Sequence, residues 1–323
     1  MLFSTNRFPE TKKNFTRRIS VPSLFFLPIL LLGCDIPAPD IETSAEPSDY
    51  LTQPTLNPDL VGVHPQDRVA LESLYDGIAG FSTNERRRVD AIEYAPFNFG
   101  LEFGDQEIAQ IAKLRSLKSL TLPMMGNSMT DQGLKRLANL TELEVLMMHG
   151  SDNLTDEGYR HIASLTNLRA LGLGMSSVED SSLVQISELT NLIFLDVTGA
   201  PITDTGVQHL SKLQRLESLA LVSTQISDKS IVVVAELPRL MSLDIRGCNI
   251  TDAGLAQLAN TDTLVELVAH PTENGGGLIT DEGLAHLQKI STLKRVQLAG
   301  NPVTPFGVAK LQAALPGCEI QMN

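Results

Sequence analysis

The chain has 323 residues, of which 42% are hydrophobic, so it can bury a sizeable core and its composition does not favour wholesale disorder. Its formal net charge is −13, it has no Trp, and it has only four Tyr. An acidic chain repels phosphate backbones and few aromatic rings are available for base stacking, so we expect no nucleic-acid partner.

The first 34 residues have the pattern of an export signal. Basic residues run to Arg18, and an apolar stretch, 21–32, follows that is too short to span about 30 Å of hydrocarbon. This stretch ends in Leu31-Leu32-Gly33-Cys34, which resembles the lipobox of bacterial lipoprotein precursors. The resemblance implies that a diacylglycerol is attached to the Cys34 thiol and that residues 1–33 are cut off as a signal peptide. An ordinary signal peptide and an uncleaved anchor are the alternatives.

We therefore expect an exported protein that a lipid anchors to the bacterial cell envelope, in either the inner or the outer membrane. Residues 34–65 are rich in Pro, Asp, Glu, Ser and Thr and have no apolar periodicity. Such a composition cannot offset the entropy of ordering, so this segment is predicted to be a disordered tether.

Residues 66–88 are predicted to form an amino-terminal cap. Asp67 is expected to cap a short helix, and a hairpin is expected to turn near Asn84. The run Arg86-Arg87-Arg88 is interpreted as a solvated hairpin edge.

Residues 89–323 consist of repeated units. Each unit begins Leu-x-x-Leu-x-Leu and continues to an apolar-Thr-Asp-x-Gly-Leu segment. Unit starts fall at Val89, Leu117, Leu143, Leu168, Leu192, Leu216, Leu240, Leu264 and Leu293. The Thr of the second segment, or its replacement, always lies 13 residues before the next start. All variation in length therefore falls between the two segments of a unit.

Each unit is predicted to contain a short strand and a helix. Alternating residues such as Leu195 and Val197 place one face of the strand in the core. The Thr hydroxyl can cap the helix, and the following Asp favours the positive helix end. The position that holds Gly in most units is expected to require a small residue, because helix and strand pack closely there.

This pattern resembles the leucine-rich-repeat family, close to its ribonuclease-inhibitor-like and cysteine-containing subclasses. The resemblance implies an α/β solenoid, or horseshoe, with a parallel sheet on the concave face and helices on the convex face. Nine repeats and a closing strand through Ile320 and Met322 give ten parallel strands. Cys248 and Cys318 lie about three repeats apart and are interpreted as structural thiols.

In this family the outward strand positions line the concave face and select the ligand. Carried over to this chain, the candidate ligand-binding residues are Val145, Met147, His149, Phe194, Asp196, Thr198, Val222, Asp244, Arg246, Glu266 and His270. Phe194 and Arg246 are of the residue types that typically anchor interfaces. We expect an apolar spot around Met147 and Phe194 beside a charged spot around Asp196, Asp244 and Arg246. For any one of these residues, an inert surface is the alternative.

Two enlarged connections are a second candidate. One carries Phe97, Phe99 and Phe103, and the other covers Pro271–Gly277. Phe103 occupies a core position of its unit, and sealing of the cap is the alternative role for Phe97 and Phe99. Insertions in repeats often mark a binding rim, but they also accumulate at little cost.

No motif for catalysis is apparent. Gly275–Gly277 lack the Lys-Ser/Thr of a phosphate loop, and the histidines lack metal-ligand spacing. We therefore predict a non-enzymatic, membrane-anchored protein, without cofactor or metal, that binds a protein or peptide. The alternatives are a structural scaffold of the envelope and an adaptor like the F-box leucine-rich-repeat proteins.

Overall fold

The structure is a computed structural model that describes residues 60, 62–74, 78–94, 103–122, 128–272 and 278–322. All of them belong to one compact unit, Asn57–Asn323. The predicted signal peptide, Cys34, most of the predicted tether, Phe97, Phe99 and residues 273–277 lie outside the described residues.

The described chain alternates strands and helices. The strands are β1 (Ile78–Thr83), β2 (Val89–Tyr94), β3 (Ser119–Thr121), β4 (Val145–Met147), β5 (Ala170–Gly172), β6 (Phe194–Asp196), β7 (Ser218–Ala220), β8 (Ser242–Asp244), β9 (Glu266–Val268), β10 (Arg295–Gln297) and β11 (Glu319–Gln321). The helices are α1 (Pro65–Glu72), α2 (Asp105–Ile111), α3 (Asp131–Leu137), α4 (Asp156–Ile162), α5 (Asp180–Ile186), α6 (Asp204–Val207), α7 (Asp228–Ala235), α8 (Asp252–Leu258), α9 (Asp281–Leu287) and α10 (Pro305–Ala314). A 3-10 segment, Gln208–Lys212, extends α6.

The strands form one sheet in chain order, which confirms the predicted solenoid. Strands β2 to β11 pair in parallel, and β1 pairs antiparallel with β2. The predicted ten parallel strands are therefore present, and the hairpin adds an eleventh strand at the amino-terminal end. Among the described helices, none is long and apolar enough to cross a membrane.

The core follows the repeat period. In the fifth unit, Leu192, Leu195 and Val197 are all fully buried, and so are their counterparts in the neighbouring units. Strands β3 to β11 have only three residues each, and most helices have about two turns. One unit therefore exposes one edge of its apolar layer, which only the next unit covers. Stability is thus shared between neighbours.

Neighbouring units are also joined by hydrogen bonds that we call the carboxylate ladder. In α2, α3 and α5 to α9, the Asp at the first position of the helix accepts hydrogen bonds from the backbone N–H and the side-chain hydroxyl of the capping Thr or Ser one unit later. Asp156 of α4 is an exception, because Glu179 stands at the capping position of the next unit. The N–H distances are 2.8–3.0 Å and the hydroxyl distances 2.5–2.6 Å. These pairs are Asp105–Thr130, Asp131–Thr155, Asp180–Thr203, Asp204–Ser227, Asp228–Thr251, Asp252–Thr280 and Asp281–Thr304.

The ladder changes the interpretation of the repeated glycine. The sequence predicted close packing of helix on strand, but a Cβ at Gly158 would instead overlap the Asp131 carboxylate of the preceding unit. Two units carry Ser in place of Gly, and there the hydroxyl donates to the same carboxylate: Ser182 to Asp156 at 2.7 Å and Ser230 to Asp204 at 2.5 Å. The position therefore requires either no side chain or a donor.

The cap differs from two expectations. The residue that caps α1 is His64, whose Nδ1 accepts the Gln66 N–H at 3.2 Å, so the assignment of Asp67 as the capping residue is wrong. Asp67 is fully buried and accepts two hydrogen bonds from Arg88 and one from the Val89 N–H. Arg88 is therefore not a solvated edge residue: it holds α1 against the hairpin, because a buried carboxylate must be paired.

Candidate ligand-binding face

The eleven predicted residues lie on the side of the sheet opposite the core. We call this side, over β4 to β9, the sheet face. Strand pairing arranges its side chains in three rows, and hydrogen bonds beyond the strand ends continue the register, such as Gly150 N–H to Gly174 O at 2.9 Å. The first row holds Val145, Phe194 and Glu266; the second holds Met147, Asp196 and Asp244; the third holds His149, Thr198, Val222, Arg246 and His270.

These side chains differ in how much surface they offer. Val145 is 3% exposed and Asp196 8%, so both contribute little surface although their positions are as predicted. Phe194 was expected to be exposed and is half-buried. Met147, His149, Thr198 and the charged residues of β8 and β9 are also half-buried. The face is therefore shallow and mixed in chemistry.

Ion pairs organise the end of the face over β8 to β10. The Arg246 guanidinium donates to both oxygens of Asp244, with Nη2 to Oδ2 at 2.6 Å. The Arg295 guanidinium does the same for Glu266, at 3.0 and 3.1 Å. The hydrogen bond to Asp244 raises the pKa of Arg246, against the opposing effect of burial. Both arginines are thereby held in fixed positions along the strands.

His270 lies beside the first of these pairs. Burial, followed by the charge of Arg246, lowers the pKa of His270 below its ordinary value, and Asp244 opposes this shift. His270 is therefore neutral near pH 7, since its ordinary pKa is already about 6.5. It adds an uncharged polar surface to this end of the face.

The fourth unit supplies small residues that the sequence analysis did not single out. Its face positions are Ala170, Gly172 and Gly174, and the imidazole of His149 from the preceding unit extends over the two glycines. A Cβ at Gly174 would lie 2.9 Å from His149 Nδ1 and 3.5 Å from Asp196 Oδ2. The three small residues in outward register could have been found in the sequence, but not that side chains of the preceding unit cover the two glycines.

A second residue that the sequence analysis missed lies in the turn that follows β5. Met175 is 57% exposed and has a left-handed φ of 54°, where Gly199 occupies the equivalent position one unit later with φ 73°. A non-glycine residue in this conformation is strained. The turn therefore presents an exposed apolar side chain next to the third row, and comparison of the equivalent turn positions could have found it.

An open groove of about 450 Å³ lies along the edge of the face at which the strands begin. Arg169, Arg215 and Asn191 line it, together with the ion pair of Lys118 and Glu144 at 3.2 Å. Arg215 donates to the Asn191 side chain at 2.8 Å. The groove is polar and adds hydrogen-bonding groups beside the first row.

The structure describes only parts of the two enlarged connections that were the second candidate for a binding site. Phe103 is fully buried and packs edge-to-face on Tyr94, with ring centroids 5.0 Å apart, so it belongs to the core near the cap. Of the second insertion, only Pro271 and Thr272 are described.

Cys248 and Cys318 are buried free thiols, and burial raises the pKa of both. Among the described residues, no cluster of three or more His, Cys, Asp or Glu has the geometry to hold a metal ion.

Comparisons with known proteins agree with this architecture. The family described as "Leucine Rich repeat" matches residues 188–211 and 238–259. Internalin C2 of Listeria monocytogenes is 22% identical with a TM-score of 0.50, over 78% of this chain and 100% of that chain. No protein among the curated ones has a significantly similar sequence.

Two further solved structures are similar at lower scores. A leucine-rich-repeat protein of Leptospira interrogans is 21% identical with a TM-score of 0.46, over 65% of this chain. The match spans only 56% of the length of the Leptospira protein. Another internalin of Listeria monocytogenes is 22% identical with a TM-score of 0.39, over 72% of this chain and 86% of that chain.

Proposed function

We propose that the chain binds a protein or peptide through the sheet face. The support is that it is a leucine-rich-repeat protein, and this fold generally serves as a scaffold for protein interactions. The observation that carries the proposal is the alignment of the eleven candidate residues in three adjacent rows. Together they offer an aromatic ring, a thioether group, carboxylates and one arginine in a fixed position on one surface. This mixture is typical of a protein-binding surface.

The face is better suited to binding than to catalysis. Two of its carboxylates, Asp244 and Glu266, are each neutralised by an arginine, which leaves neither as a free acid or base. The groove described beside the face is open, whereas catalysis typically requires a site that excludes water. We therefore propose a binding protein that has no catalytic activity.

The test is affinity capture from envelope extracts with the full chain as bait. Phe194→Ala and Arg246→Ala should each weaken capture of one saturable partner, because truncation of an interface anchor typically costs about 2 kcal/mol or more. Glu236→Gln, an exposed residue after α7 on the helix side, is the matched control and should leave capture unchanged. Unchanged capture by folded Phe194→Ala and Arg246→Ala would refute the choice of surface.

The same experiment separates the proposed receptor from a structural scaffold. A scaffold of the envelope would capture many proteins without saturation, and alterations of the sheet face would affect few of them. An F-box-like adaptor would require a helical F-box, and residues 35–88 do not have such a sequence.

We further propose that a lipid on Cys34 anchors the protein to the cell envelope. The support is the sequence: a basic start, the apolar stretch 21–32, and Leu31-Leu32-Gly33-Cys34 at its end. Two or three acyl chains would give durable anchoring, where a single chain would be marginal. Cys34→Ser should abolish metabolic labelling with a fatty acid and release the protein from membranes, while Cys318→Ser should keep both. Continued labelling of Cys34→Ser would refute this assignment.

A further inference from the structure

Three carboxylates in the outward rows of the sheet face differ in their partners. Asp244 and Glu266 each receive two or more hydrogen bonds from one guanidinium, that of Arg246 or Arg295. Asp196, in the second row on β6, has no such partner among the described residues. It is nevertheless the most buried of the three, at 8% exposure.

The hydrogen bonds of Asp196 leave one oxygen without a donor. Oδ1 accepts the Thr198 N–H at 2.8 Å. His149 Nδ1 lies 3.9 Å from Oδ2. This nitrogen already accepts the Gly174 N–H at 3.0 Å, so it carries no proton that it could donate to Asp196. His149 therefore stands beside the carboxylate as an acceptor and not as a counter-ion.

The other nearby cation is already engaged. Arg246 acts on Asp196 electrostatically, but its guanidinium hydrogen bonds go to Asp244. A carboxylate that is nine-tenths buried is costly unless a cation or several donors compensate it. Asp196 thus has a charge that this part of the face does not fully balance.

The residues that flank Asp196 on the neighbouring strands are small: Gly172 and Gly174 on one side, where the His149 imidazole lies over them, and Ala220 on the other. Thr198 lies within the same cluster: a Cβ at Gly174 would be 3.4 Å from Thr198 Cβ. The Thr198 hydroxyl is buried and has no hydrogen-bond partner among the described groups. One oxygen of the Asp196 carboxylate and the Thr198 hydroxyl, which can donate as well as accept, therefore lie in one cluster without a hydrogen-bond partner among the described groups.

We propose that Asp196 and Thr198 receive the cationic side chain of a Lys or Arg from the protein partner. This inference rests on the proposed binding function of the sheet face and specifies its chemistry. An ammonium or guanidinium brings the donors and the positive charge that both oxygens lack. Met175 and Met147 at the edge of the cluster would contact apolar groups next to that basic residue, so the expected partner segment combines a basic with an apolar residue.

The test is selection of binders from a displayed library of random peptides, with the full chain as the immobilised target. The unaltered protein should enrich peptides that contain Lys or Arg next to an apolar residue. Asp196→Asn keeps the size of the side chain and an acceptor for the Thr198 N–H but removes the charge. It should weaken the enriched peptides by about tenfold to a hundredfold, while Glu236→Gln should leave their affinity unchanged.

The possible results separate this inference from the proposed function. Enriched peptides that lack basic residues, or that bind Asp196→Asn as tightly as the unaltered protein, would overturn the cation site. If Phe194→Ala still weakened those peptides, the proposed function would stand without it. Failure to enrich any saturable peptide would overturn both. Replacement of the basic residue of an enriched peptide by Gln should cause the same loss as Asp196→Asn, and the two losses should not add.

A stability measurement distinguishes a ligand-binding role from a structural one. If Asp196 serves the fold, Asp196→Asn should lower the urea midpoint of unfolding. If it is held ready for a cationic ligand, the substitution removes an uncompensated charge, and the midpoint should stay the same or rise. A lowered midpoint together with unchanged peptide binding would refute the proposal.

Discussion

The carboxylate ladder predicts that Gly158→Ala destabilises the protein when Asp131 is present but stabilises it when Asp131 has been replaced by Ala. In the third unit, Thr155 donates its N–H and its hydroxyl to Asp131, at 2.9 and 2.6 Å. A methyl group at Gly158 would overlap the same carboxylate. Of the three atoms nearest to that methyl position, two belong to Asp131 and the third is Leu134 Cδ1, 3.2 Å away. Gly158 therefore tests the ladder with few competing contacts.

The magnitudes follow from the hydrogen bonds and the helix. Asp131→Ala should cost about 2 kcal/mol, because it removes two charge-assisted bonds at a partly exposed site. Gly158→Ala should displace the carboxylate and lose the same bonds, but it gains up to about 1 kcal/mol of helix propensity, for a net loss of about 1 kcal/mol. With Asp131→Ala already present, Gly158→Ala should instead stabilise the protein by up to about 1 kcal/mol, since only the propensity remains.

The assay is equilibrium unfolding in urea of the full chain, the two single variants and the double variant. The expected coupling energy is about 2 kcal/mol in favour of the double variant. Gly158→Ser is the matched control, because Ser182 and Ser230 occupy the equivalent positions of other units and donate to their carboxylates. Free energies that add within about 0.5 kcal/mol would refute this explanation of the repeated glycine.

Three further predictions concern single residues. Burial opposes ionisation of Asp204, but the hydrogen bonds from Ser227 and Ser230 outweigh it and lower the pKa of Asp204. Its contribution is therefore present above about pH 4 and lost as the pH falls through its folded pKa, so Asp204→Asn should flatten the acid side of the curve of unfolding free energy against pH. Arg246→Gln should raise the pKa of His270 towards its ordinary value, with the part due to burial remaining; an unchanged imidazole titration in NMR spectra would contradict this. Met175→Gly should raise the free energy of unfolding by about 1 kcal/mol, because glycine adopts a positive φ without steric cost; a lowered melting temperature would argue against strain at this turn.

The register of the sheet could be predicted because it depends on local geometry. Side chains alternate across a strand, so Leu195 and Val197 in the core place Phe194, Asp196 and Thr198 on the opposite face without any knowledge of neighbouring units. Unit boundaries followed from the same repetition. The capping role of residues such as Thr155 was predicted for the same reason, since a helix cap involves only two neighbouring residues.

Only the tertiary structure decided the contacts between units. In these contacts the packing of the units, and not the distance along the sequence, determines which residues meet. The capping threonines also join neighbouring units, because stacking brings each hydroxyl to the preceding carboxylate. Asp67 and Arg88 read as a cap and a solvated edge but form a buried pair, because α1 folds onto the hairpin. Asp196 and Asp244 occupy equivalent positions on their strands, and Arg246, two residues after Asp244, pairs with it. The tertiary structure decided that Asp196 lies instead beside His149, which comes from two units earlier and extends over the glycines of the unit between them. Local alternation fixes which way a side chain points; whether it is paired or left for a ligand depends on what the neighbouring units place beside it.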